Sequence, residues 1–230
     1  MTRTLRPVGN VGLAAAIALV ILNLAHPFDG TTEMYGDAVL FISKMDTWWV
    51  IDHLALAFVF LFFPWVTWAW VQTLQDGRAQ LWGRLGWMTM LIGTAIGVLH
   101  VGGIDGVALP SFGTVLEGSN GGAETAAAAL LRVHLTTFMA WLIVAWVGAS
   151  LFLGLATLLE PDQPQWLGWM LVLAAALGLA SAIVTALEGQ LTTLSEPFLF
   201  RPSSFLVTIW LLIVSLQLRR TDQPAAAPRS

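Results

Sequence analysis

The sequence predicts an all-α integral membrane protein, with six transmembrane helices in one bundle and both termini in the cytoplasm. Three observations carry that expectation. The chain is 57% hydrophobic and only 10% charged, against roughly 25% charged residues in soluble domains. Its apolar residues gather in six runs, each near the roughly 20 residues that cross about 30 Å of hydrocarbon. Arginines and lysines concentrate on one side of the resulting topology, which marks that side as cytoplasmic.

The first run, about 8–25, stops at "HPFDG", where Pro27 and Gly30 end a helix. Arginines followed by an apolar stretch also suit a signal peptide, but "LNLA" is a poor small-residue cleavage site. The run is therefore read as a retained first helix. The second, about 47–73, reads "TWWVIDHLALAFVFLFFPWVTWAWVQT". Its Pro64 removes one backbone bond and kinks the helix, which membrane spans tolerate. The third covers about 81–105. The fourth, about 123–159, is long enough that its first two turns, "AETAAAALLR", are expected to project into water. The fifth covers about 166–190 and the sixth about 203–218. Together, residues 1–220 read as a single six-helix domain.

Between the first two runs, "YGDAVLFISKM" (35–45) is too short and too charged to span. It reads as an interfacial helix or packed loop. Residues 221–230, "TDQPAAAPRS", carry no pattern and read as a disordered tail.

Six spans place the N-terminus, the 74–82 loop, the 160–165 loop and the C-terminus on one side. That side carries Arg3, Arg6, Arg78, Arg84, Arg219, Arg220 and Arg229, whereas the other carries only Lys44, Arg132 and Arg201. The positive-inside rule then fixes the orientation, in what reads as a bacterial inner membrane. Acidic residues sort the opposite way and crowd the outer face, which also owns the three longest loops. Function is expected there.

Several chemistries are excluded by composition. With no cysteine, disulfides, thiolate zinc sites, cysteine-held iron–sulfur clusters and covalent haem attachment are impossible. The only lysine, Lys44, lies in a loop, so no span offers a retinal Schiff base. Regularly spaced arginines of a voltage sensor are missing, and no basic tract suggests nucleic acid. The tryptophans read mostly as interfacial belt and packing residues.

The four histidines are more informative. His26 ends the first helix, His53 begins the second, His100 lies late in the third, and His134 lies where the fourth enters the hydrocarbon. All four therefore fall near the outer surface, one on each of four helices. Polar and ionisable groups within spans are costly and usually face a bundle interior or cavity. In the third helix, Gly86, Gly93, Gly97 and His100 form one stripe, which lets another helix or a flat cofactor approach. In the fourth, His134 shares a face with Thr137, Trp141 and Gly148. In the fifth, Gly178, Ser181, Thr185 and Glu188 form a stripe climbing to a carboxylate.

These residues are expected to build an outer-leaflet cofactor site from His53, His100 and His134, with His26 and Glu188 as further metal ligands. Asp52, Asp105 and Arg132 are expected to support it from a second layer, a carboxylate orienting an imidazole or the arginine holding a bound group. Asp52 and His53 project about 100° apart on a helix and need not serve one site. Copper, iron, zinc or manganese suits imidazole with carboxylate, and one haem b between two histidines is the other cofactor expected. No HExxH or HxxxH spacing selects among them. Electron transfer or metal-assisted oxidation follows, with quinone or lipid as partner. Two rival expectations remain. One is a cofactor-free accessory subunit docked among other membrane subunits. The other is a proton-linked pocket for a small amphiphile or ion.

Overall fold

The structure, a computed structural model, describes residues 2–26, 45, 47–116, 122–188 and 195–224. Six helices are long and apolar enough to cross a membrane: Arg6–Ala25, Thr47–Val71, Gly77–Phe112, Thr125–Leu159, Gln165–Glu188 and Phe198–Arg220. They are called spans one to six below. Neighbours in sequence pack as neighbours in space, and span one closes the ring by packing along span six. A short antiparallel pairing joins the chain ends, β1 (Thr2–Thr4) against β2 (Asp222–Pro224). The start of the segment expected to be a disordered tail is thus held against the N-terminus. Apart from Met45, the interfacial segment expected at 35–45 lies outside the described residues.

Local chemistry explains where each span bends. Pro64 has no N–H to offer the Phe60 carbonyl. Span two accordingly divides into Thr47–Phe60 and Phe63–Val71. Span three does not stop at Asp105 as its glycines suggest. It passes from an α-helix, Gly77–Gly97, through a π-helix, Val98–Ala108, into a further α-helix, Leu109–Leu116. Pro110 falls in the first turn of that last piece, where a missing N–H is tolerated. Span four contains a second π-helical stretch, Leu142–Ala149.

The opening turns of the fourth helix do not simply project into water. Ala127 and Leu131 are buried against Ile104 and Leu109 in a small cluster of their own. That cluster ties the fourth helix to the extension of the third. Deeper in the bundle, the rings of Trp70 and Trp210 meet edge to face at 5.2 Å, among fully buried Val66, Leu167, Leu171 and Leu211. Leu54, Phe58, Trp65, Leu91, Ile143, Leu173, Ile183 and Phe205 face outward, as a lipid-facing surface requires.

Small residues let the spans approach. A Cβ on Gly93 would lie 2.6 Å from the Ala145 Cβ and 2.8 Å from its Cα. Another helix, span four, therefore occupies the glycine stripe. The flat cofactor that the stripe could also have admitted is not accommodated there.

At the end of the bundle that holds the chain termini, one carboxylate ties two loops together. Buried Glu160 accepts the backbone N–H groups of Gln75 (2.8 Å) and Asp76 (3.1 Å) through Oε2. Asp76 itself caps span three, its Oδ1 accepting from the N–H groups of Arg78 and Ala79. The Ala79 and Arg78 amides hold the Asp76 carboxyl below its ordinary value.

Two predictions follow from this packing and capping. Gly93→Ala should lose about 1–3 kcal/mol of stability through overpacking, read as a lower thermal midpoint in detergent; an unchanged midpoint would mean that spans three and four separate freely. A depressed carboxyl stabilises the fold above its unfolded pKa and loses that contribution as pH falls through its folded value. Asp76→Ala should therefore lower the midpoint at neutral pH, the deficit shrinking once pH drops below about 4. Melts of both proteins across that range check it.

Candidate metal centre

Antiparallel neighbours bring the end of one span beside the start of the next. That connectivity gathers all four histidines at one end of the bundle, in two pairs. The His26 and His53 rings lie 4.9 Å apart, and the His100 and His134 rings lie 4.8 Å apart. Each pair shares an aspartate. Among the described residues, His26, Asp52 and His53 form one group that could hold a metal ion, and His100, Asp105 and His134 form another. Within each group one donor atom per residue lies within 4.8 Å of the others.

The second group is the more deeply enclosed, with all three side chains at most 7% exposed. Its assembly depends on the π-helix. In an α-helix, residues five apart point about 140° away from each other. The i→i+5 winding of Val98–Ala108 stacks such residues instead. His100 and Asp105 thereby face one space, and span four adds His134. Asp105 Oδ2 lies 3.4 Å from His100 Nε2, and Oδ1 lies 3.2 Å from His134 Nε2.

Hydrogen-bond accounting reveals what these atoms present. Thr137 Oγ1 lies 2.9 Å from the carbonyls of both Val133 and His134 and gives its proton to that backbone. Its lone pair then accepts from His100 Nδ1–H at 3.0 Å. With the proton on Nδ1, His100 Nε2 turns a lone pair toward a carboxylate oxygen. Meanwhile Asp105 Oδ1 and His134 Nδ1 are buried without hydrogen-bond partners. His134 approaches Asp105 at ion-pair distance, 3.2 Å. Two imidazoles and a carboxylate converge in one enclosed space. Phe138 and Trp141 floor this site, 5.6 and 5.7 Å from the His100 ring.

The first group is built differently. His26 Nδ1 lies 2.6 Å from Asp52 Oδ2, a short charge-assisted contact. His53 Nδ1–H donates to the Trp49 carbonyl at 2.8 Å, which leaves Nε2 as its lone-pair nitrogen. Asp52 is wholly buried, and its Oδ1 has no partner among the described residues. Trp49 links the two groups. Its indole stacks on His53 at 4.3 Å and donates to the Asp105 carbonyl at 2.8 Å.

The structure thus divides the expected single site. His53 lies with His26, while His100 lies with His134. Asp52 and Asp105, expected as supports, each fall within a group that could hold an ion, and Asp52 lies 4.0 Å from His53 Nδ1 despite their different helix faces. Glu188 is exposed at the end of span five and belongs to neither group. Arg132 is likewise exposed. Beneath the aromatic floor, a small cavity among Phe60, Met90, Thr94, Trp141 and Trp146 contains no ionisable lining.

Compared with family models, curated proteins and solved structures, the chain matches none. The site must speak for itself.

Thr137 provides a direct test of this accounting. Thr137→Val removes the acceptor while keeping the β-branched shape, and should release His100 from the Nδ1–H tautomer. Thr137→Ser should restore it. Nitrogen-15 NMR of labelled histidine reads the difference; identical His100 ring shifts in all three proteins would refute the assignment.

Proposed function

We propose that this chain is an integral membrane protein that binds a divalent transition metal at His100, Asp105 and His134. The observation carrying this reading is the spacing and protonation of the donors. A tetrahedral ion with bonds of about 2.0–2.1 Å holds its ligand atoms about 3.4 Å apart. The two N···O separations here, 3.2 and 3.4 Å, are close to that ligand-to-ligand spacing. The His26–Asp52 contact at 2.6 Å is the internal contrast, for there a proton is shared.

Two imidazoles and one carboxylate are the donors of catalytic zinc sites and of non-haem iron(II) sites. Either leaves coordination positions open, and a metal so held supplies Lewis-acid or redox chemistry. Metal-assisted oxidation or electron transfer, with a quinone or lipid as partner, is the activity proposed. The arginine and lysine distribution supports an outward-facing site in a bacterial inner membrane. Haem b fits less well. The His100 and His134 rings lie too close to sandwich a macrocycle, and the glycine stripe below is filled by span four.

Metal titration of chelator-treated protein in detergent tests the reading. Zinc(II) or cobalt(II) should bind tightly, and His100→Ala, His134→Ala or Asp105→Asn should each weaken the Asp105 site at least tenfold. Affinity should fall as pH is lowered, because protons compete with the metal for the imidazole nitrogens. A folded apoprotein that takes up no metal overturns the proposal and favours the accessory-subunit alternative.

A further inference from the structure

The buried group raises a problem of access. Its three side chains are at most 7% exposed, and an ion needs a path to its ligands. The neighbouring group supplies one. His26 is the only member of either group with substantial exposure, its side chain 24% accessible. It touches Asp52, which adjoins His53, and His53 stacks on the indole that bonds the Asp105 backbone.

We infer that His26, Asp52 and His53 form a second divalent transition-metal site, the accessible station through which ions reach His100, Asp105 and His134. Three features carry this beyond mere proximity. Asp52 is wholly buried, and among the described residues it accepts from His26 while its Oδ1 has no partner. A carboxylate in that position wants a cation. The ring of His53 is anchored at Nδ1 by a backbone carbonyl. Metal-binding histidines are characteristically held this way, which orients the ring and leaves the other nitrogen for the ion. Finally, one donor atom from each of the three residues lies within 4.8 Å of the others, so no rearrangement of the backbone is needed to gather them. With neutral imidazoles, each group carries the single negative charge of its aspartate. A cation leaving one station therefore meets another of the same sign next to it.

The loading role rests on the metal site proposed above, and the binding role does not. Both are read from chelator-treated full-length protein titrated with cobalt(II) in detergent. Wild type should take two equivalents. Asp52→Asn should remove one and Asp105→Asn the other, with distinct cobalt absorption bands disappearing in each. His26→Ala, a change at a partly exposed span end, should also remove the first equivalent and slow loading of the buried site at least tenfold. It provides the same readout should Asp52→Asn not fold. One equivalent, lost in Asp105→Asn and retained in Asp52→Asn or His26→Ala, overturns the second site while the first stands. In that event His26 and Asp52 form only an ion pair. Two equivalents with unslowed loading in His26→Ala overturn the station role. Two equivalents kept in both Asp52→Asn and His26→Ala also overturn the assignment. A wild type that binds nothing overturns both sites.

Discussion

Asp52 and Asp105 are carboxylates buried at one end of a bundle of apolar helices, and much of that end is arranged around them. Moving an anion out of water costs several kcal/mol even after relaxation. Lipid and apolar side chains return none of it. Each aspartate must therefore be met by groups able to carry or attract positive charge. Four imidazoles do this, two to each carboxylate. Around them, Thr137 and the Trp49 carbonyl fix ring nitrogens, and the Trp49 indole steadies the Asp105 backbone.

Backbone geometry is recruited to the same end. An ordinary α-helix through "HVGGIDG" would turn Asp105 away from His100. The π-helical winding prevents this, at the cost of poorer helix packing that small glycines help to absorb. Gly102 and Gly106 let this wider stretch press against span two, next to Ala57 and His53. The extension of span three past Pro110 then anchors the π-helix at its far end through Leu109 and its apolar cluster. Strong packing on both sides holds an otherwise unfavourable conformation in place.

The two aspartate groups differ in a way that suits different tasks. Around Asp52, one nitrogen–oxygen contact is short and one residue reaches the surface. Around Asp105, nitrogen–oxygen separations are wider, the ring and carboxylate lone pairs converge, and everything is enclosed. Aromatic residues Phe138 and Trp141 close the inner side. An ion placed there would be dry on that side and bounded by neutral, polarisable rings, conditions that strengthen electrostatic interactions.

The sequence by itself determined the class of element, six helices long and apolar enough to cross a membrane, and the end of the bundle where the histidines gather. Composition and run length suffice for these, because burying backbone in lipid demands helices, and alternating direction places the histidines together. His100 and His134 as partners follow from that reading. The sequence could not pair His53 with His26 rather than with His100, because lateral packing between spans leaves no mark in periodicity. Nor could it promote Asp105 from support to donor, since an α-helical projection points that side chain elsewhere. Glu188 illustrates the converse: its stripe is buried through Gly178, Ser181 and Thr185, yet the final turn emerges and the carboxylate is exposed. Only the tertiary structure decided these matters. They depend on helix winding, ring orientation and hydrogen-bond assignment between segments distant in the chain.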